Sequence, residues 1–270
     1  MIPFADADVE RRSFPVVNVV LLGLNALVFL YELLLGGLGL LGGGGDLDIS
    51  VFFFKWGFIP EELTADRPFD TLQVNFATID IKTPLPTWAT VFSYMFIHGG
   101  FFHFAGNMAF LWVLGDNIEN RLGHVKYLLF YLATGVVAAL SQMVVDPHSQ
   151  APLIGASGAV SGVVGAYLLL YPYNRIKALI IFYFITVIEL RALLLLGLWS
   201  LWQLIQALFS LGLSNAVSVA FFAHVGGVAA GAVIIAVYKL LTHQPIWPPR
   251  RQRREPWDYW YRTGRGPGAP

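Results

Sequence analysis

Gly155-Ala156-Ser157-Gly158-Ala159-Val160-Ser161-Gly162-Val163-Val164-Gly165 lies within an apolar run over 153–171 that is long enough to form a helix. Glycine and other small residues dominate it, so a neighbouring helix can approach its backbone closely. A serine set between such residues is open to contact from another chain. Far downstream, Ala223-His224-Val225-Gly226-Gly227 places a histidine at the start of a second apolar run. A histidine that can take the serine's proton makes the pair competent for acyl transfer. Alone, the first stretch reads more readily as a packing stripe with an incidental serine.

The surrounding composition puts both residues in lipid. Of 270 residues, 56% are hydrophobic and 13% charged, against about 25% charged in a soluble globule. A helix crossing a hydrocarbon core needs about 20 residues. Runs of suitable length fall at 16–41, 91–115, 124–145, 153–171, 191–211 and 217–241, so the expected fold is an all-α polytopic membrane bundle of six spans. The first run is too long for a signal peptide's apolar region and has no convincing cleavage site, so it reads as a retained span. The chain contains no cysteine, which excludes disulfides and thiolate chemistry. No cofactor or metal is implied.

Lysine and arginine concentrate on the cytoplasmic side of membrane proteins. With six spans, Arg11, Arg12, Arg121, Lys126, Arg175, Lys177, Arg191, Lys239 and the Arg250–Arg265 cluster share one side, leaving Lys55, Arg67 and Lys82 on the other. Both termini are therefore expected in the cytoplasm, and the cytoplasmic membrane of a bacterial cell is the expected location. The apolar run 176–188 is the ambiguity: at about 13 residues it is short for a span. A crossing there would put His224 at the opposite face from Ser157. A re-entrant or interfacial segment keeps Arg175, Lys177 and Arg191 on one side and is the preferred reading.

Residues 1–15 read as a short polar arm, 16–241 as the membrane domain, and 242–270 as a Pro- and Arg-rich tail. The tail's basic cluster suits anionic lipid better than nucleic acid. Within the first span, Glu32 is expected near the outer interface and Asn25 to bond inside the bundle. The glycines at 36–37 and 42–45 end that span, and the segment 42–88, with seven acids from Asp46 to Asp80, forms an outer loop. Its aromatic stretch Val51–Pro60 is expected to lie on the outer leaflet.

The polar residues converge. His98-Gly99-Gly100-Phe101-Phe102-His103-Phe104-Ala105-Gly106-Asn107 precedes and enters the second span, and the spacing of His103 and Asn107 puts them on one helix face. Ser157 and His224 lie about five and seven residues into their runs, roughly 7–11 Å down each helix. Isolated polar groups in hydrocarbon are costly, so four at a common depth should meet around a water-accessible cavity. Gly155, Gly158, Gly162 and Gly165 on one run, and Gly227 and Gly231 on the other, supply small faces for close packing.

In this arrangement the chain resembles the rhomboid family of intramembrane serine proteases over roughly Val91 to Leu241. The resemblance rests on His98-Gly-Gly-x-x-His103-x-x-x-Asn107-Met108, Gly115-x-x-x-Glu119-x-x-x-Gly123, Gly155-x-Ser157-Gly158 and Ala223-His224-x-x-Gly227-x-x-x-Gly231. It implies that Ser157 is the nucleophile and His224 its base, without an acidic third member. His103 and Asn107 would join the Ser157 N–H in holding an oxyanion, while His98 braces the loop before the span. Glu119 and Arg121 would tie the second and third spans together. Two departures stand out: Ser161 occupies a position where many members carry an aromatic ring against the histidine, and Thr90 one where many carry arginine.

The expected substrates are single-span membrane proteins, unwound locally near the outer face, with the 212–215 loop and the fifth span as a gate. The competing reading is a catalytically silent relative that binds transmembrane helices. A transporter is disfavoured by the absence of an embedded acid pair or a broken-helix repeat.

Overall fold

A computed structural model describes residues 2–8, 13–42, 46–74, 77–181, 185–211 and 220–249. The expected basic tail from Arg250, Arg11, Arg12 and the 212–215 gate loop lie outside them. The protein is mostly helical. After a strand β1 (Ile2–Asp6), helix α1 (Val16–Gly36) leads to the outer segment, which holds α2 (Leu47–Trp56), α3 (Pro60–Thr64) and a hairpin of β2 (Thr71–Val74) and β3 (Ala77–Asp80). A short α4 (Thr90–Ser93) precedes α5 (Phe101–Leu122), α6 (His124–Val145) and α7 (Ser157–Leu170). Strands β4 (Arg175–Ile181) and β5 (Ile185–Arg191) then separate α7 from α8 (Ala192–Ser210) and α9 (Phe221–Leu241).

Four of these helices, α1, α6, α8 and α9, are long and apolar enough to cross a membrane. Helix α5 matches them in length but carries Asp116, Glu119 and Arg121 in its second half, and α7 has only 14 residues. Both differ from the uniformly apolar spans read from sequence, and for one reason: they are the inner helices. Val163, Val164 and Ala166 of α7 are wholly buried, as are Leu111, Leu114 and Ile118 of α5. By contrast α8 exposes Leu194, Leu198, Leu201, Trp202 and Phe209. A helix wrapped by protein can carry polar groups or be short, because its surroundings are not lipid.

The second run also starts later than its hydropathy suggests. Residues 90–96 form α4 and a 3-10 turn, and α5 begins at Phe101 after Gly100, whose φ is 156°. The described residues of the run 176–188 are strand, not helix. They pair antiparallel, with Arg175 opposite Arg191, so the chain returns to the end it left. The polar arm contributes β1 to the same sheet, with Ile2 opposite Leu179 and Asp6 opposite Ile176. Asp6 accepts a hydrogen bond from the Tyr167 hydroxyl at the foot of α7, and burial pushes its carboxyl above the ordinary carboxylate range.

At that end Glu119 ties together more than the second and third spans. Helix α1 begins after Pro15 without a side-chain cap of its own. Its first free N–H groups donate instead to Glu119, Val17 N to Oε1 at 2.9 Å and Asn18 N to Oε2 at 2.7 Å, and His124 at the start of α6 lies against the same carboxylate. Asn18 extends the joint by donating to the Leu111 carbonyl at 3.0 Å and accepting from the Tyr127 hydroxyl at 2.8 Å. Gly115 leaves room for it, since a Cβ there would stand 2.1 Å from Asn18 Oδ1. Gly123, at φ 81°, turns the chain between α5 and α6. Arg121 donates to Gln244 beyond α9. Glu119→Ala strips a charged acceptor from two N–H groups and is expected to cost about 2–3 kcal/mol; denaturant titration in detergent micelles should show it, with Glu119→Gln losing less.

Candidate active site

At the opposite end, the outer segment fixes where α7 can begin. Phe58 and Leu153 exchange backbone hydrogen bonds at 3.0 and 2.8 Å, and the Gly155 N–H donates to the Tyr94 carbonyl at 2.9 Å. Residues 151–156 are therefore held out of the helix, and Gly155 takes φ 126°, a conformation that glycine tolerates and side-chain-bearing residues rarely adopt. Ser157 is consequently the first residue of α7 rather than about five residues into it. Its N–H has no acceptor within the helix. His224 is the fourth residue of α9.

The two side chains meet. His224 Nε2 lies 2.8 Å from Ser157 Oγ, within hydrogen-bond reach for proton transfer. What brings them together is backbone contact between α7 and α9. A Cβ on Gly227 would fall 2.2 Å from the Gly158 carbonyl oxygen, and one on Gly231 would fall 1.9 Å from that of Gly162. No residue with a side chain fits at either position. Gly158 is confined in turn by Ala138 and the Tyr94 hydroxyl, each within 2.8 Å of a Cβ built there.

The other ring nitrogen of His224 has a partner that the sequence reading did not single out. Nδ1 lies 2.8 Å from Oε1 of Gln203 on α8. The signal was present as an uncharged polar residue in an apolar span. Packing also contributes: the Trp199 ring sits 6.2 Å from the imidazole at 37°, and Phe221 meets it edge-on at 6.4 Å. Rings from α8 and α9 thus occupy the neighbourhood for which Ser161 has no aromatic. Ser161 instead is fully buried and donates to the Ser157 carbonyl at 2.6 Å. Thr90 is equally buried and donates to the Thr87 carbonyl at 2.7 Å, bracing its own turn.

His103 and Asn107 stand on α5 beside this pair. A Cβ on Gly155 would touch both His103 Nε2, at 2.7 Å, and Ser157 Oγ, at 3.4 Å, so the two groups flank the same small residue. The His103 Nδ1 accepts from the Gly99 N–H at 3.4 Å, which favours the tautomer carrying its proton on Nε2. Asn107 Nδ2 donates one of its two hydrogens to the His103 carbonyl at 3.0 Å. Behind them His98 is fully buried, packed edge-on against Phe104 and His103 at 5.4 and 5.2 Å. Its backbone N–H donates at 3.0 Å to Glu32, which is wholly buried and so braces the loop from α1. Asn25 bonds the Leu21 carbonyl of its own helix.

The description Rhomboid domain fits residues 86–240, more than half of the chain. The chain belongs to the rhomboid family. It is 35% identical over 88 residues to Rhomboid protease GluP of Bacillus subtilis (strain 168), covering 33% of this chain and 17% of that protein. Rhomboid-like protein 11, chloroplastic, of Arabidopsis thaliana is 37% identical over 78 residues, which are 29% and 28% of the two chains. The mitochondrial presenilin-associated rhomboid-like protein of Homo sapiens is 35% identical over 83 residues, 30% of this chain and 22% of that one. The matched stretches span less than half of each relative. Together with the four long apolar helices, membership makes this an integral membrane protein.

The glycine contacts set the separation of Ser157 and His224. Gly231→Ala is therefore expected to force α9 away from α7, costing about 1–3 kcal/mol from overpacking and on the order of 10² in serine reactivity if the pair is displaced by about 1 Å. Labelling by a serine-directed fluorophosphonate, compared with Gly23→Ala on an open face of α1, measures this.

Proposed function

We propose that this rhomboid is an intramembrane serine endopeptidase that cleaves single-span membrane proteins near the outer face of the membrane. The observation that carries the reading is the 2.8 Å contact of Ser157 Oγ with His224 Nε2 at the start of two closely packed helices. Ser157 Oγ attacks the scissile carbonyl carbon as His224 Nε2 takes its proton. The tetrahedral oxyanion is held by the Ser157 N–H, His103 Nε2–H and the remaining Asn107 amide hydrogen, and the α7 N-terminus favours negative charge there. His224 then returns the proton to the leaving amine, and water hydrolyses the acyl-enzyme by the same steps in reverse roles.

A transmembrane helix hides its peptide bonds within its own hydrogen bonds, so the substrate has to unwind first. Glycine, proline and small residues near the outer end of the substrate lower that cost. Six crossings, with α5 and α7 as the inner pair, place Glu119, Arg121, Lys239 and the β1-β4-β5 sheet together on the cytoplasmic side and the Ser157 site on the other. The excess of basic residues at that end supports this orientation. Both termini are then cytoplasmic, and α8 is the span beside which a substrate helix reaches the site.

In proteoliposomes carrying a single-span reporter with a helix-broken outer third, the wild type is expected to release the outer fragment, and Ser157→Ala and His224→Ala to release none. Asn107→Ala should lower kcat by about 10²–10³. A wild type that cleaves no such reporter and takes up no fluorophosphonate at Ser157 shifts the assignment to a helix-binding relative. Because the chain has no cysteine, a single cysteine at position 191 reports orientation directly: a membrane-impermeant maleimide should label it from the cytoplasmic side, and labelling from outside reverses the topology.

A further inference from the structure

Helix α8 contributes two side chains to the surroundings of His224, and both lie on one face. Trp199 and Gln203 are four residues apart, one turn of helix, and the fully buried Leu196 and Ala207 continue the same stripe. Gln203 is itself almost entirely buried, with 8% of its surface exposed, in a helix whose opposite face carries Leu194, Leu198, Leu201 and Phe209 outward. An amide side chain in that setting needs a hydrogen-bond partner, and its Oε1 meets His224 Nδ1 at 2.8 Å.

We propose that Gln203 is a positioning residue for the protease reaction, an inference that rests on the reading of Ser157 and His224 as nucleophile and base. An amide oxygen can only accept. It therefore selects the His224 tautomer with hydrogen on Nδ1, leaving the Nε2 lone pair free for the Ser157 Oγ–H. Without that acceptor the ring can place its hydrogen on Nε2 and donate to Ser157 Oγ, a geometry that keeps the contact but cannot take a proton. The base is oriented through α8, so it is competent only while α8 stays docked against α9.

Gln203→Met keeps the length of the side chain and removes the strong acceptor; Gln203→Glu restores an acceptor oxygen with the same reach. In the full-length protein in proteoliposomes, Gln203→Met should lower kcat on the reporter on the order of 10²-fold with KM held within about twofold, and Gln203→Glu should recover most of the loss. Ala207→Phe, one turn further along the buried face, should wedge α8 outward and reproduce the loss with Gln203 intact. The tautomer is read independently of turnover from the ring 15N shifts of histidine-labelled protein, with His224 assigned by difference against His224→Ala. Wild type should show a single tautomer protonated at Nδ1, and Gln203→Met a mixed or reversed population. Unchanged ring shifts in Gln203→Met, or a kcat within about twofold of wild type, overturn the proposal. A wild type that does not cleave overturns the protease reading instead, while the ring shifts still report whether Gln203 sets the tautomer.

Discussion

Everything at the site depends on two helices touching through their backbones. With Cβ positions on Gly227 and Gly231 falling 2.2 and 1.9 Å from carbonyl oxygens of α7, the α7–α9 interface has no room for a side chain at either level. Lipid tails are as apolar as the residues they would replace, so burial alone does little to drive helices together in a bilayer. Close van der Waals contact has to do it. The same contact brings the first turn of α7 against the first turn of α9, so the force that assembles the bundle also brings Ser157 to His224. A reactive pair on side chains from more distant helices would need longer, more mobile reach.

The two ends of the bundle are built by different interactions. At the Glu119 end, charged and polar groups do the joining: one carboxylate caps α1 and touches α6, Asn18 bridges α5 and α6, and Asp6 pins the N-terminal strand under α7. These contacts fix the helices against one another without involving Ser157 or His224. At the Ser157 end, the joining is by loop backbone. The Phe58–Leu153 pair and the Gly155 bond to Tyr94 define the start of α7, while Glu32 holds the His98 N–H. Helix α8 meets His224 through two side chains, Trp199 and Gln203, with Trp199 also packed on Phe110 of α5 at 5.6 Å.

The pairing of Ser157 with His224 was legible in the sequence because glycine spacing and polar residues in lipid both carry strong physical penalties for being there by accident. Glu119 was legible as structural, but its partners were not. They depend on α1 starting without a cap, and Pro15 does not reveal that Val17 and Asn18 lie beside α5. The start of α7 was misread because a long-range bridge from Phe58, about a hundred residues away, holds 151–156 extended, and hydropathy registers only that the run is apolar. The hairpin of β4 and β5 was hidden for a similar reason. A short apolar run is compatible with strand or helix, and the partner strand β1 lay in what looked like a polar arm. Gln203 escaped notice because its importance depends on which face of α8 meets α9, a rotation that one uncharged residue among leucines does not specify.

The choice of an amide beside His224 has its own physical logic. In the proposed reaction a carboxylate there would hold the imidazolium more strongly, as the acidic member of a triad does in water-soluble enzymes. It would also bring an ion into a helix whose outer face is leucine and tryptophan, and an unpaired charge at that depth costs far more than a neutral polar group. Glutamine gives up the charge and keeps the acceptor. It supplies what tautomer selection requires without a carboxylate that must remain ionised in the resting state. Ser161 fits the same solution: being small, it lets α7 and α9 stay at glycine distance, and its hydroxyl returns to the Ser157 carbonyl instead of supporting the ring. Support for His224 has thereby moved from the helix of Ser157 to α8, making the geometry of the ring a property of three helices instead of two.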